Sequence, residues 1–123
     1  MRIYVAAKWE EKDQARRLMT LLEQHGHTIT YDWTQCSVCD AEQAQKDRQG
    51  VMSADAFVGL FERDLAYCGA IAEFGMACAR EIPCYLIGHA IDVERGKCIF
   101  TKLPNVHQGE TFEDAITYLS TLV

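Results

Sequence analysis

No apolar run in this chain approaches the roughly 20 residues needed to cross a bilayer, so a membrane span is not expected. A signal-peptide opening is missing too. Met1-Arg2-Ile3-Tyr4-Val5 reads as a strand, which points to a cytosolic protein. Positive charge is scarce: 12 Lys and Arg stand against 18 Asp and Glu, a formal net charge of −6. Such a surface repels a phosphate backbone, and no basic stripe with interleaved aromatics offsets it. Nucleic acid is therefore excluded as a partner and a small ligand is favoured. Repeats, linkers and low-complexity segments are absent, and residues 1–123 read as one domain with enough length to bury a core. Cysteine, by contrast, occurs six times. Cys78 and Cys84 fall inside apolar helix and strand patterns, so most of the thiols are expected to be small buried hydrophobes rather than bridge partners.

What is present is an alternation of strands and helices. Ile3 to Ala6 is a short apolar run suited to a central strand, and Glu10 to Gln24 carries Ala15, Leu18, Met19 and Leu22 at helical spacing before a His25-Gly26 stop. His27 to Tyr31 alternates as a second strand. Asp32 to Asp40 reads as loop and Ala41 to Ser53 as a polar helix. Ala56 to Phe61 is a buried third strand, Gly69 to Glu81 a helix stopped by Pro83, and Cys84 to Ile87 a fourth strand. After a polar connection from His89 to Lys97, Cys98 to Phe100 is the expected fifth strand, and Thr111 to Leu122 a closing amphipathic helix. This order predicts a flavodoxin-like α/β three-layer sandwich with a five-stranded parallel sheet of order 2-1-3-4-5.

In that topology the loops after the first and third strands meet at the crevice where open α/β sheets hold ligands. Glu73 stands one turn into the helix after the third strand, among Ala70, Ile71, Ala72, Phe74 and Met76, with little polar surface around it. Tyr4 of the first strand is placed to orient its carboxylate, and Asp47 of the second helix offers a second carboxyl group. Each has a plainer reading: core packing for Tyr4, a solvated surface for Asp47, a turn or strand-entrance cap for Asp55.

Several pieces resemble the nucleoside 2-deoxyribosyltransferase family and its nucleotide N-glycoside hydrolase relatives. They are Ile3-Tyr4-Val5-Ala6, Asp47 ahead of Ser53-Ala54-Asp55-Ala56-Phe57-Val58, Gly69-x-x-x-Glu73-x-Gly75-x-Ala77, and Phe100-Thr101-Lys102-Leu103-Pro104 before the final helix. The resemblance implies Glu73 as the nucleophile at the anomeric carbon, Tyr4 as the residue holding it, and Asp47 as the group that handles the proton of the base. It also implies a nucleoside or nucleotide substrate, no metal or organic cofactor, and a homodimer or larger homo-oligomer. Chemistry agrees, since N-glycosidic cleavage builds oxocarbenium charge that a carboxylate captures while a separate acid protonates the departing base.

Around that centre the candidate substrate-binding positions are Ala6, Lys8, Trp9, Asp32, Trp33, Asp55, Tyr67 and Gly69. Lys8 suits a phosphate. Trp9 and Trp33 offer faces for a base, and Asp32 an acceptor for a base amine, although both tryptophans also suit packing and Asp32 a cap. The chain departs from the family at Tyr67, where transferases carry an acid for the sugar 5′-hydroxyl and nucleotide hydrolases a serine; Asp64 lies three residues earlier. The first loop, Ala7-Lys8-Trp9-Glu10, also lacks the usual Gly-Pro. Two rivals remain at this level. One is a non-catalytic module that binds or senses a nucleotide derivative; the other is a zinc-stabilised domain using Cys36-Ser37-Val38-Cys39.

Overall fold

A computed structural model of the chain, describing residues 1–63, 66–95 and 97–123, contains a five-stranded parallel sheet in the order β2-β1-β3-β4-β5. The strands are β1 (Arg2–Ala6), β2 (Thr28–Ile29), β3 (Ala56–Leu60), β4 (Cys84–Ile87) and β5 (Val106–Gly109). The helices are α1 (Lys12–Gln24), α2 (Ala41–Met52), α3 (Cys68–Ala79) and α4 (Phe112–Ser120). This is the expected flavodoxin-like arrangement. Asp64, named above beside Tyr67, lies outside the described residues.

Central strands of a parallel sheet are covered on both faces and so read as continuous apolar runs. β3 is buried at every position, as is β1 from Ile3 to Ala6. Tyr4 pairs in register with Phe57, and both project to the face covered by α2 and α3. The other face carries Tyr85, whose ring lies tilted against Tyr118 of α4 at 5.2 Å. α1 packs beside β1 and β2, burying Ala15, Leu18, Met19 and Leu22 as its periodicity demands. Side chains fix the starts of two helices: Asp40 accepts from Gln43 N–H ahead of α2, and Thr111 with Asp114 forms a capping box on α4.

The fifth strand differs from expectation. Cys98 to Phe100 does not pair into the sheet; Ile99–Lys102 is a 3₁₀ turn whose Ile99 and Phe100 are exposed, and the strand is Val106–Gly109. An edge strand needs only one buried residue to register, here Val106, so its sequence carries little apolar signal. β2 is likewise shorter than expected, with two paired residues at the opposite edge. The thiols also depart from expectation. All six cysteines are free, but only Cys84 is fully buried, and Cys39 and Cys68 are exposed.

Candidate active site

The site begins with Tyr4, fully buried in the middle of β1. Its ring lies between Phe57 of β3, at a centroid distance of 6.2 Å, and Gly50 of α2. A Cβ at Gly50 would stand 2.9 Å from two ring carbons of Tyr4 and 3.0 Å from Tyr31 Cβ. Only a glycine lets α2 approach this closely. The phenol is thereby held with its hydroxyl toward α3, where it donates a 2.6 Å hydrogen bond to Glu73 Oε2. A short O–H···O bond to a carboxylate is among the stronger hydrogen bonds a protein makes.

Glu73 sits in the second turn of α3, on a helix with no other charged residue between Cys68 and Ala79. Its pKa is pushed up to about 7, chiefly because burial penalises the charged form; the Tyr4 hydroxyl works against this and the charge of Asp47 adds to it. Asp47, half-buried on α2, is also raised above the usual carboxylate range by burial, opposed by the 2.9 Å hydrogen bond it accepts from Gln43 Nε2. Gln43 in turn accepts from the Tyr31 hydroxyl at 3.1 Å. Burial, then the Glu73 charge and hydrogen bond, and to a lesser degree the charge of Asp47 raise the pKa of Tyr4. The two carboxyl groups thus interact through space while one oxygen of each is held by a different donor. The phenol faces one and the amide the other.

The remaining sequence candidates divide. Ala6 ends β1, buried, at the same edge of the sheet, and Gly69 lies exposed in the first turn of α3 with nothing within 4 Å of a would-be Cβ. Trp9 stands 39% exposed, with Lys12 Nζ 4.3 Å above its ring and Trp33 tilted against it at 6.4 Å. Trp33 is itself buried, and its indole N–H donates to Val5 C=O at 2.7 Å, so it anchors the loop against β1. Asp32 is turned inward as a cap, accepting from Thr34 N–H at 2.9 Å. Lys8 donates to Ala66 C=O at 2.6 Å, tying the loops after β1 and β3 together. Tyr67 is buried, its ring edge-on to Phe61 at 4.9 Å.

Asp55 is not brought to this site. It precedes β3 at the N-terminal edge of the sheet, where its carboxylate accepts from Arg2 N–H at 2.9 Å and its own N–H donates to Arg2 C=O. A strand's first residue lies across the sheet from its ligand-facing end, so a substrate contact is removed on geometry alone. His27 also belongs to that edge, bonded through Nδ1 to the chain's terminal amine, whereas Cys36 and Cys39 follow β2. Among the described residues, no group of three His, Cys, Asp or Glu could hold a metal ion.

Gly50 packs on the Tyr4 ring and Gln43 holds the Asp47 carboxylate, and neither was expected at the site from the sequence. Gly50 had one available signal: a glycine inside a helix, where it costs up to about 1 kcal/mol relative to alanine and so calls for a packing reason.

The structure resembles that of a CMP N-glycosidase from Clostridium botulinum, BcmB, with a TM-score of 0.70 at 20% identity, covering 98% of this chain and 99% of that one. A conserved protein from Enterococcus faecalis V583 aligns with a TM-score of 0.68 at 15% identity over 100% of this chain and 99% of that one. These similarities speak to the fold. No curated protein matches the sequence. The family model for nucleoside 2-deoxyribosyltransferase matches residues 3–113, and with the parallel sheet and the Tyr4–Glu73 pair already in view, the chain belongs to that family.

Proposed function

We propose that this protein cleaves or transfers at the N-glycosidic bond of a deoxynucleoside or nucleotide through a covalent glycosyl intermediate on Glu73. The observation that carries this reading is the 2.6 Å hydrogen bond from the buried Tyr4 hydroxyl to Glu73 Oε2. It fixes one carboxylate oxygen and leaves Oε1 to meet the sugar. In the first half-reaction Glu73 Oε1 attacks the anomeric carbon as the C–N bond breaks, and the bonding pair leaves with the base. Asp47, in its protonated form, delivers a proton to that base. In the second half, water or a free base attacks the same carbon. Glu73 departs as a carboxylate, and Asp47 takes up the proton the acceptor loses. Water makes the outcome hydrolysis; a second base makes it transfer.

Charge economy supports this division. A desolvated carboxylate is a poor resting anion and gains most when positive charge develops beside it, as it does at an oxocarbenium-like centre. Two carboxyl groups supply the nucleophile and the acid, so the mechanism calls on no metal or organic cofactor. A homodimer or larger homo-oligomer is part of the same proposal, resting on family membership.

The test is incubation with a panel of deoxynucleosides and their monophosphates, with and without a free acceptor base, followed by chromatography. Base released without acceptor, or exchanged with it, supports the reading if Glu73→Ala abolishes turnover while binding persists. Tight binding of one member without turnover by the natural chain would instead favour a non-catalytic nucleotide-binding module.

A further inference from the structure

An acid that hands its proton to a leaving group must present one particular oxygen, and a freely rotating carboxyl on a helix surface does not. Asp47 is half-buried on α2, with no basic side chain paired to it among the described residues. Its Oδ1 accepts at 2.9 Å from Gln43 Nε2. Its Oδ2 has no protein donor among the described residues and is not sealed from solvent. From other elements it is faced by Glu73 of α3 and Tyr4 of β1, both of which feel its charge.

A Gln–Asp pair four residues apart is common on helix surfaces and by itself fixes little. Here two further contacts hold the glutamine. Its backbone N–H donates to the Asp40 cap at 2.9 Å, which sets its place in the first turn of α2. Its Oε1 accepts from the Tyr31 hydroxyl at 3.1 Å. An ionised carboxylate can only accept, so the amide must turn its nitrogen to Asp47 and its oxygen to Tyr31. Tyr31 follows β2, outside the helix, and its Cβ lies 3.0 Å from where a Cβ on Gly50 would stand. The glycine that seats the Tyr4 ring therefore also seats the tyrosine that sets this amide.

We propose that Gln43 is a positioning residue for departure of the base: locked by Tyr31, its amide holds Asp47 Oδ1 and so aims Oδ2 at the leaving nitrogen. This rests on the reaction proposed above and adds a residue that acts through Asp47 without touching substrate. An oxygen already accepting an N–H is the poorer site for a proton, so the proton of the neutral acid sits on Oδ2, the atom facing the base. The same bond favours the ionised form and opposes the burial that raises Asp47, which lets the group give up its proton in the first half-reaction and regain one in the second.

Gln43→Met keeps the side chain's length and removes the donor, whereas Gln43→Glu sets an acceptor against Asp47. The first measurement is a carbon-13 NMR titration of the Asp47 carboxyl in the full chain, its resonance assigned by its loss in Asp47→Asn. The midpoint should rise by about one pH unit in Gln43→Met, as expected for one hydrogen bond to a charged group, and further in Gln43→Glu. The second is kinetics with two deoxynucleosides, one carrying an ordinary base and one whose base leaves without protonation. Gln43→Met should lower kcat about 10-fold for the first with KM little changed, the gain in protonated Asp47 offsetting part of a larger loss of aim, and leave the second within about twofold. The acidic limb of kcat/KM should move to higher pH with the Asp47 titration. An unmoved midpoint, or equal losses with both substrates as a merely structural role would give, overturns the inference and leaves the reaction standing. No turnover of either substrate by the natural chain removes the reaction, and this role with it. If Gln43→Met does not fold, Tyr31→Phe frees the amide while keeping the ring, and should move both readouts the same way by about half as much; unchanged values contradict the inference.

Discussion

Replacing Glu73 with glutamine should make the protein more stable while removing its activity, and the gain should depend on pH. The carboxyl titrates near 7 in the folded chain against 4.5 for a free glutamate side chain, mainly through burial. Because the folded pKa is raised, the native state holds this proton more tightly than the unfolded chain does. The associated stability is fully present below pH 4.5 and is lost as pH rises to 7. Each pKa step of one corresponds to about 1.4 kcal/mol, so the loss reaches about 3 kcal/mol, reduced toward 2 by water at the partly exposed edge of the side chain. Glutamine keeps an oxygen to accept from the Tyr4 hydroxyl and carries no charge at any pH. Urea unfolding of both proteins should therefore give similar stabilities at pH 4 and a variant about 2–3 kcal/mol more stable at pH 8, on the order of 10 °C in Tm. A difference that does not change between these pH values, or a variant less stable at pH 8, would refute the claim that Glu73 is held in a desolvated setting.

Tyr4→Phe keeps the ring against Phe57 and removes the 2.6 Å hydrogen bond, so kcat should fall about 10- to 100-fold and the Glu73 titration should move higher still, measurable as a shift in the pH–rate profile. Gly50→Ala puts a methyl 2.9 Å from the Tyr4 ring; it should destabilise by about 1–3 kcal/mol in urea and lower kcat without touching substrate. In the proposed mechanism the Glu73–Asp47 pair carries one proton between the two groups, so kcat/KM should be bell-shaped with its alkaline limb near pH 7. Asp47→Asn should remove that alkaline limb for a substrate whose base leaves unaided, turning it into a rise with pH, and should cost about 10²–10⁴-fold with ordinary substrates.

The sequence revealed most where many residues act together. Continuous apolar runs marked β1, β3 and β4, and helical spacing marked α1 and α4, because a parallel core needs both sheet faces covered. It revealed least at the edges. β5 buries Val106 and exposes His107, while the more apolar Ile99 and Phe100 lie in an exposed turn, so hydrophobicity pointed to the wrong segment. Within the site, Tyr4 and Glu73 were legible because a carboxylate in an apolar helix and a tyrosine in a buried strand invite a partner. Asp55 falls away from the site because it stands ahead of β3, at the edge opposite the crevice, which its place before the strand already implied. Asp32 and Trp33 look identical on paper whether they face a ligand or tie a loop, and only the bonds to Thr34 and Val5 separate these.

The most direct test of the central claim is mass spectrometry of the protein quenched during turnover of a slow deoxynucleoside substrate. The account predicts a mass increase of one deoxyribosyl group, mapped by digestion to the peptide carrying Glu73 and absent from Glu73→Gln. Base release that continues in Glu73→Gln, or a sugar adduct on any other residue, would contradict it.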